Sequence, residues 1–189
     1  MTQGVALEVE IGRVGMIGRD GAPPAGMSLF EVDAMAPSGA ERIMARSQEV
    51  MSRVLACLQG SDGGEISLEA AHACLPRWFV DASGAEQSPE EARAWLKHLA
   101  SLSPAERAEA ELAHKWSVSD FMYWFEPGQR EWWWWGSEVM DPDTVRVYLA
   151  VREPSFPHEA LDWMLRASGA VEVVDENVRD LSQNSSADS

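Results

Sequence analysis

Cysteine is scarce in this sequence: Cys57 and Cys74 are the only two among 189 residues. Their spacing fits neither a CxxC motif nor a zinc-binding pattern, and two cysteines do not make the disulfide framework of a small secreted domain. We therefore expect two buried, reduced thiols, as in a bacterial protein of the cytoplasm.

Long apolar runs are missing as well. The sequence begins Met-Thr-Gln-Gly and has no basic region followed by an apolar stretch. No segment approaches the roughly 18 uncharged apolar residues that a membrane span requires. We expect neither a signal peptide nor a transmembrane helix, and we predict a cytoplasmic location.

Basic residues are outnumbered two to one. The 15 Lys and Arg residues stand against 31 Asp and Glu residues, which gives a formal net charge of −16. Residues 127–189 contain 12 acids and 5 bases, so the excess is largest toward the C-terminus. Such a field repels nucleic acid and anionic membranes and attracts cationic partners. We predict a partner protein with a basic surface, no nucleic acid and no membrane; the simpler explanation is that acidity maintains solubility.

Recognisable catalytic signatures are also lacking. Glycines recur at positions 12, 15, 18 and 21, but Pro23 and Pro24 stand where a dinucleotide-binding helix should continue. His158 and Asp162 share one helix face, although a zinc-protease helix needs a second His at the later position. The sequence has no GxSxG motif. We predict no catalytic residue, metal or cofactor, and an active site assembled from distant residues stays open as an alternative.

The order of patterns predicts an α+β fold, in which a helical layer packs on a small antiparallel sheet containing a C-terminal Trp-rich hairpin. Period-two alternation predicts strands at residues 7–11 and 145–151, and the aromatic-rich residues 131–140 are predicted to form the first strand of the hairpin. Residues 28–32 and 171–174 are predicted as further short strands. Helical spacing predicts helices at residues 40–60, 68–75, 89–101, 104–115, 118–125 and 158–168. We assign residues 1–175 to one domain and residues 176–189 to a polar, frayed tail.

Three helix starts carry the sequence grammar of a capping box. Ser88 precedes Pro89 and Glu91, Ser103 precedes Pro104 and Glu106, and Ser117 precedes Asp120. In each case the serine can accept from a backbone amide three residues later.

Tryptophan is concentrated in one stretch, because six of the nine Trp residues lie between positions 116 and 136. On a strand, Trp132 and Trp134 face one side, whereas Trp133 and Trp135 face the other. One interpretation is an aromatic core on both faces of the sheet. The other is a binding surface of Trp and Arg, the residue types that dominate interface hot spots.

The position of Trp163 favours the interpretation of a binding surface. On the predicted helix at 158–168, Leu161, Met164 and Leu165 form the core stripe, and Trp163 projects to the opposite side with Glu159.

These observations lead to the hypothesis of an acidic protein-binding module. An immunity-type inhibitor of a basic toxin is its specific form, although no motif links the sequence to a named immunity family. The candidate partner-binding residues are Trp133, Trp135, Glu138, Asp141, Asp143, Glu153, Glu159 and Trp163. A small-molecule or sugar-binding domain with Trp platforms, and an enzyme with a non-local site, are the alternatives.

Overall fold

The computed structural model describes residues 5–61, 66–126 and 128–175, and the predicted frayed tail lies outside them. Within this part of the chain, eight helices accompany a four-stranded antiparallel sheet, which confirms the α+β prediction. The elements are, in order, α1 (Leu7–Val14), β1 (Ser28–Met35), α2 (Ala40–Gly60), α3 (Leu68–Cys74), α4 (Arg77–Ala82), α5 (Pro89–Ser101), α6 (Pro104–Ala113), α7 (Val118–Tyr123), β2 (Trp132–Val139), β3 (Thr144–Val151), α8 (Glu159–Ala167) and β4 (Glu172–Asp175).

The sheet has the strand order β2-β3-β1-β4, and every neighbouring pair is antiparallel. The predicted hairpin of β2 and β3 supplies half of it, while β1 inserts beside β3 from the distant N-terminal region. Long-range pairing of β1 with both β3 and β4 therefore joins residues 28–35 to the C-terminal third of the chain.

The inner face of the sheet packs against the helices. Alternate β3 residues Val145, Val147, Leu149 and Val151 are buried there, as the alternation predicted. Helices α2 and α8 add their apolar stripes to this core, and α7 contributes Phe121, which is also fully buried.

The outer face carries a second, smaller cluster, which we call the outer cluster: Val5, Trp133, Trp135, Tyr148 and Ala150. Trp133 and Trp135 are only 6% and 3% exposed. The interpretation of Trp133 and Trp135 as part of a binding surface is therefore wrong, and the interpretation of an aromatic core on both faces of the sheet is correct.

Arginine side chains help to bury these two indoles. The Arg13 guanidinium lies 3.8 Å from the centre of the Trp135 ring, and that of Arg152 lies 5.3 Å from the Trp133 ring. A guanidinium over an indole face is attracted by the ring quadrupole. These intramolecular contacts occupy the ring faces that a partner would have needed.

The predicted strand at residues 7–11 is wrong, because this segment is helix α1. A strand would have placed Val9 and Ile11 on a buried face, but they are 47% and 39% exposed. Glu10 is buried instead, and helical spacing puts it on the same face as Val14. The alternation of residue types does not show that Glu10 pairs with Arg130. This buried pair decides which face of the segment points into the protein.

Glu10 connects α1 to the sheet. Its Oε1 accepts a hydrogen bond from Arg130 Nη2 and another, of 2.7 Å, from the backbone amide of Trp134. Burial raises the pKa of Glu10, and the Arg130 charge opposes this rise. The carboxylate thus satisfies an outward-facing amide of edge strand β2 that would otherwise lack a partner.

A further part of the β2 edge, at Ser137, is covered by the chain that follows α1. Met16 O accepts from the Ser137 amide at 3.2 Å, and Ser137 O accepts from the Gly18 amide at 3.0 Å. The register of β2 shifts between Trp134 and Gly136. A Cβ on Gly136 would lie 2.1 Å from Gly18 O, so only glycine allows this close approach.

Local signals located most of the helix ends. Ser88 and Ser103 form complete capping boxes with the glutamates three residues later, and the Ser117 side chain caps α7. The sequence reading missed α4. Pro76 follows α3 and directly precedes the first residue of α4, so a single proline separates the two helices.

Replacing Glu10 tests the connection between α1 and β2. We expect Glu10→Ala to lower the free energy of unfolding by about 3–5 kcal/mol, because Arg130 becomes a buried charge without its partner. Chemical denaturation measures this change. Glu8→Ala in the same helix is the control, since Glu8 is exposed and should change stability by less than about 0.5 kcal/mol. Equal effects of the two substitutions would contradict the assignment.

A pair of glycine substitutions tests the edge of the sheet. Gly136→Ala should destabilise the protein by about 1–3 kcal/mol, because the added methyl group meets Gly18 O. Gly12→Ala should be neutral or stabilising by up to about 1 kcal/mol, since Gly12 lies within α1 with open space around it. Thermal unfolding of both variants gives the comparison, and a stable Gly136→Ala protein would refute the close approach.

Candidate functional site

A groove of about 780 Å³ lies between the α5–α6 hairpin on one side and helices α7 and α8 on the other. Four tryptophans and one tyrosine line it: Trp95, Trp116, Tyr123, Trp124 and Trp163. The groove is thus formed by the helices and their connections, and the tryptophans of strand β2 do not belong to it.

Helix α8 forms one wall through its polar face. Glu159, Asp162, Trp163 and Arg166 line the groove at relative positions i, i+3, i+4 and i+7. Leu161, Met164 and Leu165 point to the core. The prediction that Trp163 projects away from the core stripe is confirmed, although the indole is half-buried and also packs against the edge of the core.

Helix α7 and the residues next to it form the adjoining wall. Asp120, Tyr123 and Trp124 line the groove, together with Trp116 just before the helix. Buried Phe121 holds the opposite face of α7 in the core. The Ser117 hydroxyl donates to Asp120 Oδ2 at 2.7 Å, which fixes the carboxylate at the start of this helix.

The α5–α6 hairpin forms the outer wall and is loosely attached. Leu99 is the one buried residue that the structure describes in α5, and α6, described throughout, has none. Leu96 and Leu112 line the groove with 64% and 59% of their surface exposed. Exposed leucines and tryptophans thus line the same groove and leave apolar surface open to solvent.

The base of the hairpin is closed by a backbone contact and an aromatic stack. The Gly84 amide donates to Trp116 O at 2.8 Å, and a Cβ on Gly84 would lie 2.6 Å from Lys115 O. The Trp95 ring stacks on His114 with 4.5 Å between the ring centres. These contacts fix where the hairpin leaves the rest of the fold.

The charged side chains of the groove are mainly acidic. The lining contains four carboxylates, Glu111, Asp120, Glu159 and Asp162, against two cations, Arg107 and Arg166. Arg107 Nε already donates to Glu111 Oε1 at 2.8 Å. The remaining acids therefore leave a negative potential in the groove, and the net charge of −16 adds to it.

Asp162 is the most unusual of these acids. Burial raises its pKa to about 6, and the neighbouring charges of His158 and Arg166 oppose this rise. Its Oδ1 has no hydrogen-bond partner among the described residues, and neither has the adjacent Trp163 Nε1. A buried polar atom without a partner costs about 1–3 kcal/mol, so the site is costly for the protein as it stands.

The predicted site residues lie in different places, and two of the eight, Glu159 and Trp163, line the groove. Glu138 lies on the outer face of the sheet, where it accepts from the Tyr148 hydroxyl.

The other three predicted acids surround the β2–β3 hairpin. Asp141 and Asp143 shape its turn by accepting from the backbone amides of Asp143 and Ser38, at 2.8 Å and 2.6 Å. Glu153 is exposed just after β3.

Most of the groove lining lies outside the eight candidate residues, including Trp95 and Asp120. Trp116, Tyr123 and Trp124 belong to or adjoin the aromatic stretch that the sequence singles out, but they are not among the eight candidates. A signal was present for α7, because Asp120, Tyr123 and Trp124 lie off its core stripe of Val118 and Phe121. Nothing in the spacing predicted that α5 and α6 would stand opposite them.

The two cysteines are free in this structure and half-buried, so the prediction that they are fully buried is wrong. They line one shallow depression, and burial together with a hydrogen bond to Cys57 raises the pKa of Cys74 to about 12.

Comparison with models of protein families, with curated proteins and with solved structures finds no match. Among the residues that the structure describes, no group of three or more His, Cys, Asp and Glu side chains could hold a metal ion. No helix in the described ranges combines the length and apolar character needed to cross a membrane.

Asp162 gives a pH-dependent stability test. Its pKa is higher in the folded state than in the unfolded chain, so its contribution favours folding at low pH and is lost as the pH rises through about 6. Asp162→Asn should therefore raise the free energy of unfolding by roughly 1–3 kcal/mol near pH 7.5 and change it little near pH 4. Denaturant titrations at both pH values measure this. Glu153→Gln, at an exposed site, should show no such difference, and a destabilised Asp162→Asn protein at neutral pH would contradict the prediction.

Proposed function

We propose that this protein is a binding module that takes up a basic segment of a partner protein in the groove between the α5–α6 hairpin and helices α7 and α8. One observation carries the proposal: an open groove rich in tryptophan has a net negative lining. The groove volume of about 780 Å³ lies within the range of natural ligand sites.

The chemistry of the walls supports a cationic segment as the ligand. Indole faces attract Lys and Arg side chains by about 0.5–2 kcal/mol each. Exposed Leu96 and Leu112 offer apolar surface for the aliphatic parts of the same side chains. The charge of the whole molecule accelerates the encounter with a basic partner, and the groove supplies the short-range contacts.

The immunity-type inhibitor is one form of this proposal. It applies if the basic segment belongs to a toxin whose activity requires that segment, because burial in the groove then blocks the toxin. The proposal also places the protein in the cytoplasm, where free thiols such as Cys57 and Cys74 stay reduced.

A sugar or another neutral small molecule is the second candidate, favoured by the same four tryptophans. Flat indole faces stack on sugars without any need for carboxylates. The two candidates therefore differ in their dependence on the groove acids, and the acids provide the discriminating substitutions.

Selection from a random peptide display library on the immobilised protein tests the proposal. We expect the selected peptides to be enriched in Arg and Lys, and their binding to weaken about tenfold or more when Glu159 and Asp162 are both replaced by amides. The double variant Glu69→Gln/Glu172→Gln removes the same charge from exposed positions outside the groove, and it should retain binding.

Three results would count against a basic segment. These are selected peptides without basic enrichment, equal losses in the two double variants, and an unchanged affinity in high salt. Quenching of tryptophan fluorescence by a sugar, undiminished when Glu159 and Asp162 become amides, would instead support the second candidate.

A further inference from the structure

We propose that the Asp162 carboxylate is the specific contact for an arginine side chain of the bound segment, whose guanidinium lies against the groove tryptophans. This inference rests on the proposed function, because it identifies which side chain of a basic segment the groove recognises and where it binds.

The Asp162 carboxylate has an oxygen without a hydrogen-bond partner in the described part of the chain. Asp162 lines the groove, and its Oδ1 lacks a hydrogen-bond partner among the described residues. The torsion that turns an aspartate carboxylate is broad and roughly two-fold, so either oxygen can be turned toward a ligand. A donor reaching this group from the groove replaces a lost interaction with water by a charge-assisted hydrogen bond.

An arginine guanidinium is the donor that fits this carboxylate best. A guanidinium presents parallel N–H groups that match both oxygens of a carboxylate, and its planar faces stack on indoles. Trp163 follows Asp162 directly, and Trp124 and Trp116 line the adjoining wall. A lysine ammonium is a compact, strongly hydrated charge, so it gains less from such a flat aromatic setting.

The cations of the same chain that act on Asp162 have other partners. Burial raises the pKa of Asp162, and the charges of His158 and Arg166 lower it. They are engaged elsewhere, because Arg166 Nη1 donates to Val171 O at 3.2 Å and His158 Nε2 lies 3.5 Å from Asp175 Oδ2.

The remaining charges around the groove favour a cation. Glu159 borders Asp162 on α8, Asp120 faces the groove from α7, and on α6 Glu111 is paired with Arg107. The potential at Asp162 thus remains attractive to an incoming cation.

A second polar atom without a partner in the described part of the chain lies on the next residue, Trp163. Trp163 Nε1 is a buried N–H without a partner among the described residues. Trp163 Nε1 lies inside the protein, so a bound segment accepts from it only after the indole turns toward the groove. The Asp162 carboxylate is thus the primary contact, and a change at Trp163 on binding would report such a turn.

The test uses three blocked tripeptides, acetyl-Gly-X-Gly-amide with arginine, citrulline or lysine at X. Citrulline keeps the shape of arginine but is neutral. We expect the arginine peptide to bind at least about tenfold tighter than the citrulline peptide, and lysine to lie between them. Tryptophan fluorescence gives the affinities, and the indole N–H resonances of a ¹⁵N-labelled protein report whether Trp163 Nε1 gains a partner.

Asp162→Asn is the decisive variant. It should reduce the preference for arginine over citrulline to about twofold or less, while the protein remains folded and gains stability at neutral pH. Glu172→Gln, at an exposed position outside the groove, should leave the preference intact. Retained discrimination in Asp162→Asn, or no measurable binding of the arginine peptide, would overturn the inference.

The outcome separates this inference from the proposed function. If library-selected basic peptides bind in the groove but each arginine-to-citrulline change has the same effect in wild type and Asp162→Asn, the groove binds basic segments and Asp162 is not the contact. If the library yields no basic peptide at all, the proposed function fails as well.

Discussion

The buried carboxylate of Glu10 is the interaction on which the arrangement of the N-terminal region depends. It accepts from Arg130 and from the Trp134 amide, and so attaches helix α1 to the edge of the sheet. The same contact holds the Arg130 guanidinium 5.2 Å from the Phe125 ring and within 6 Å of Trp132 and Trp133. Because the Glu10 carboxylate accepts from the Trp134 amide, this amide of edge strand β2 is not left unpaired at the border of the sheet.

Tryptophan therefore has two separate roles in this protein. The indoles of strand β2 fill both faces of the sheet, where their burial and their contacts with arginine stabilise the fold. The indoles of the helical region, among them Trp124 and Trp163, line an open groove. The division follows from geometry, since a strand inside two packed layers leaves no free face and a helix at the surface does.

Glu10 and Asp162 show how the same physical effect has different consequences in different places. Burial raises the pKa of both carboxyl groups, and each keeps one oxygen without a hydrogen-bond partner in the described part of the chain. Glu10 lies wholly inside the protein and is held by a cation from the same chain. Asp162 lies in the wall of a groove with acidic neighbours, so a cation from outside can supply what the chain does not. This difference in access, more than the pKa itself, makes Asp162 the stronger candidate for binding.

Local sequence was sufficient wherever a few neighbouring residues decide the outcome. It determined the serine caps of α5, α6 and α7, the extent of α2, and the hairpin of β2 and β3, because caps, turns and periodicity act within one or two helical turns. Only the tertiary structure decided that residues 7–14 form a helix, since their buried partner Arg130 is more than a hundred residues away. The burial of Trp133 and Trp135 and the meeting of α5–α6 with α7 and α8 were decided in the same way. A pattern shows which side chains need a partner, but which distant surface supplies it depends on how the layers pack.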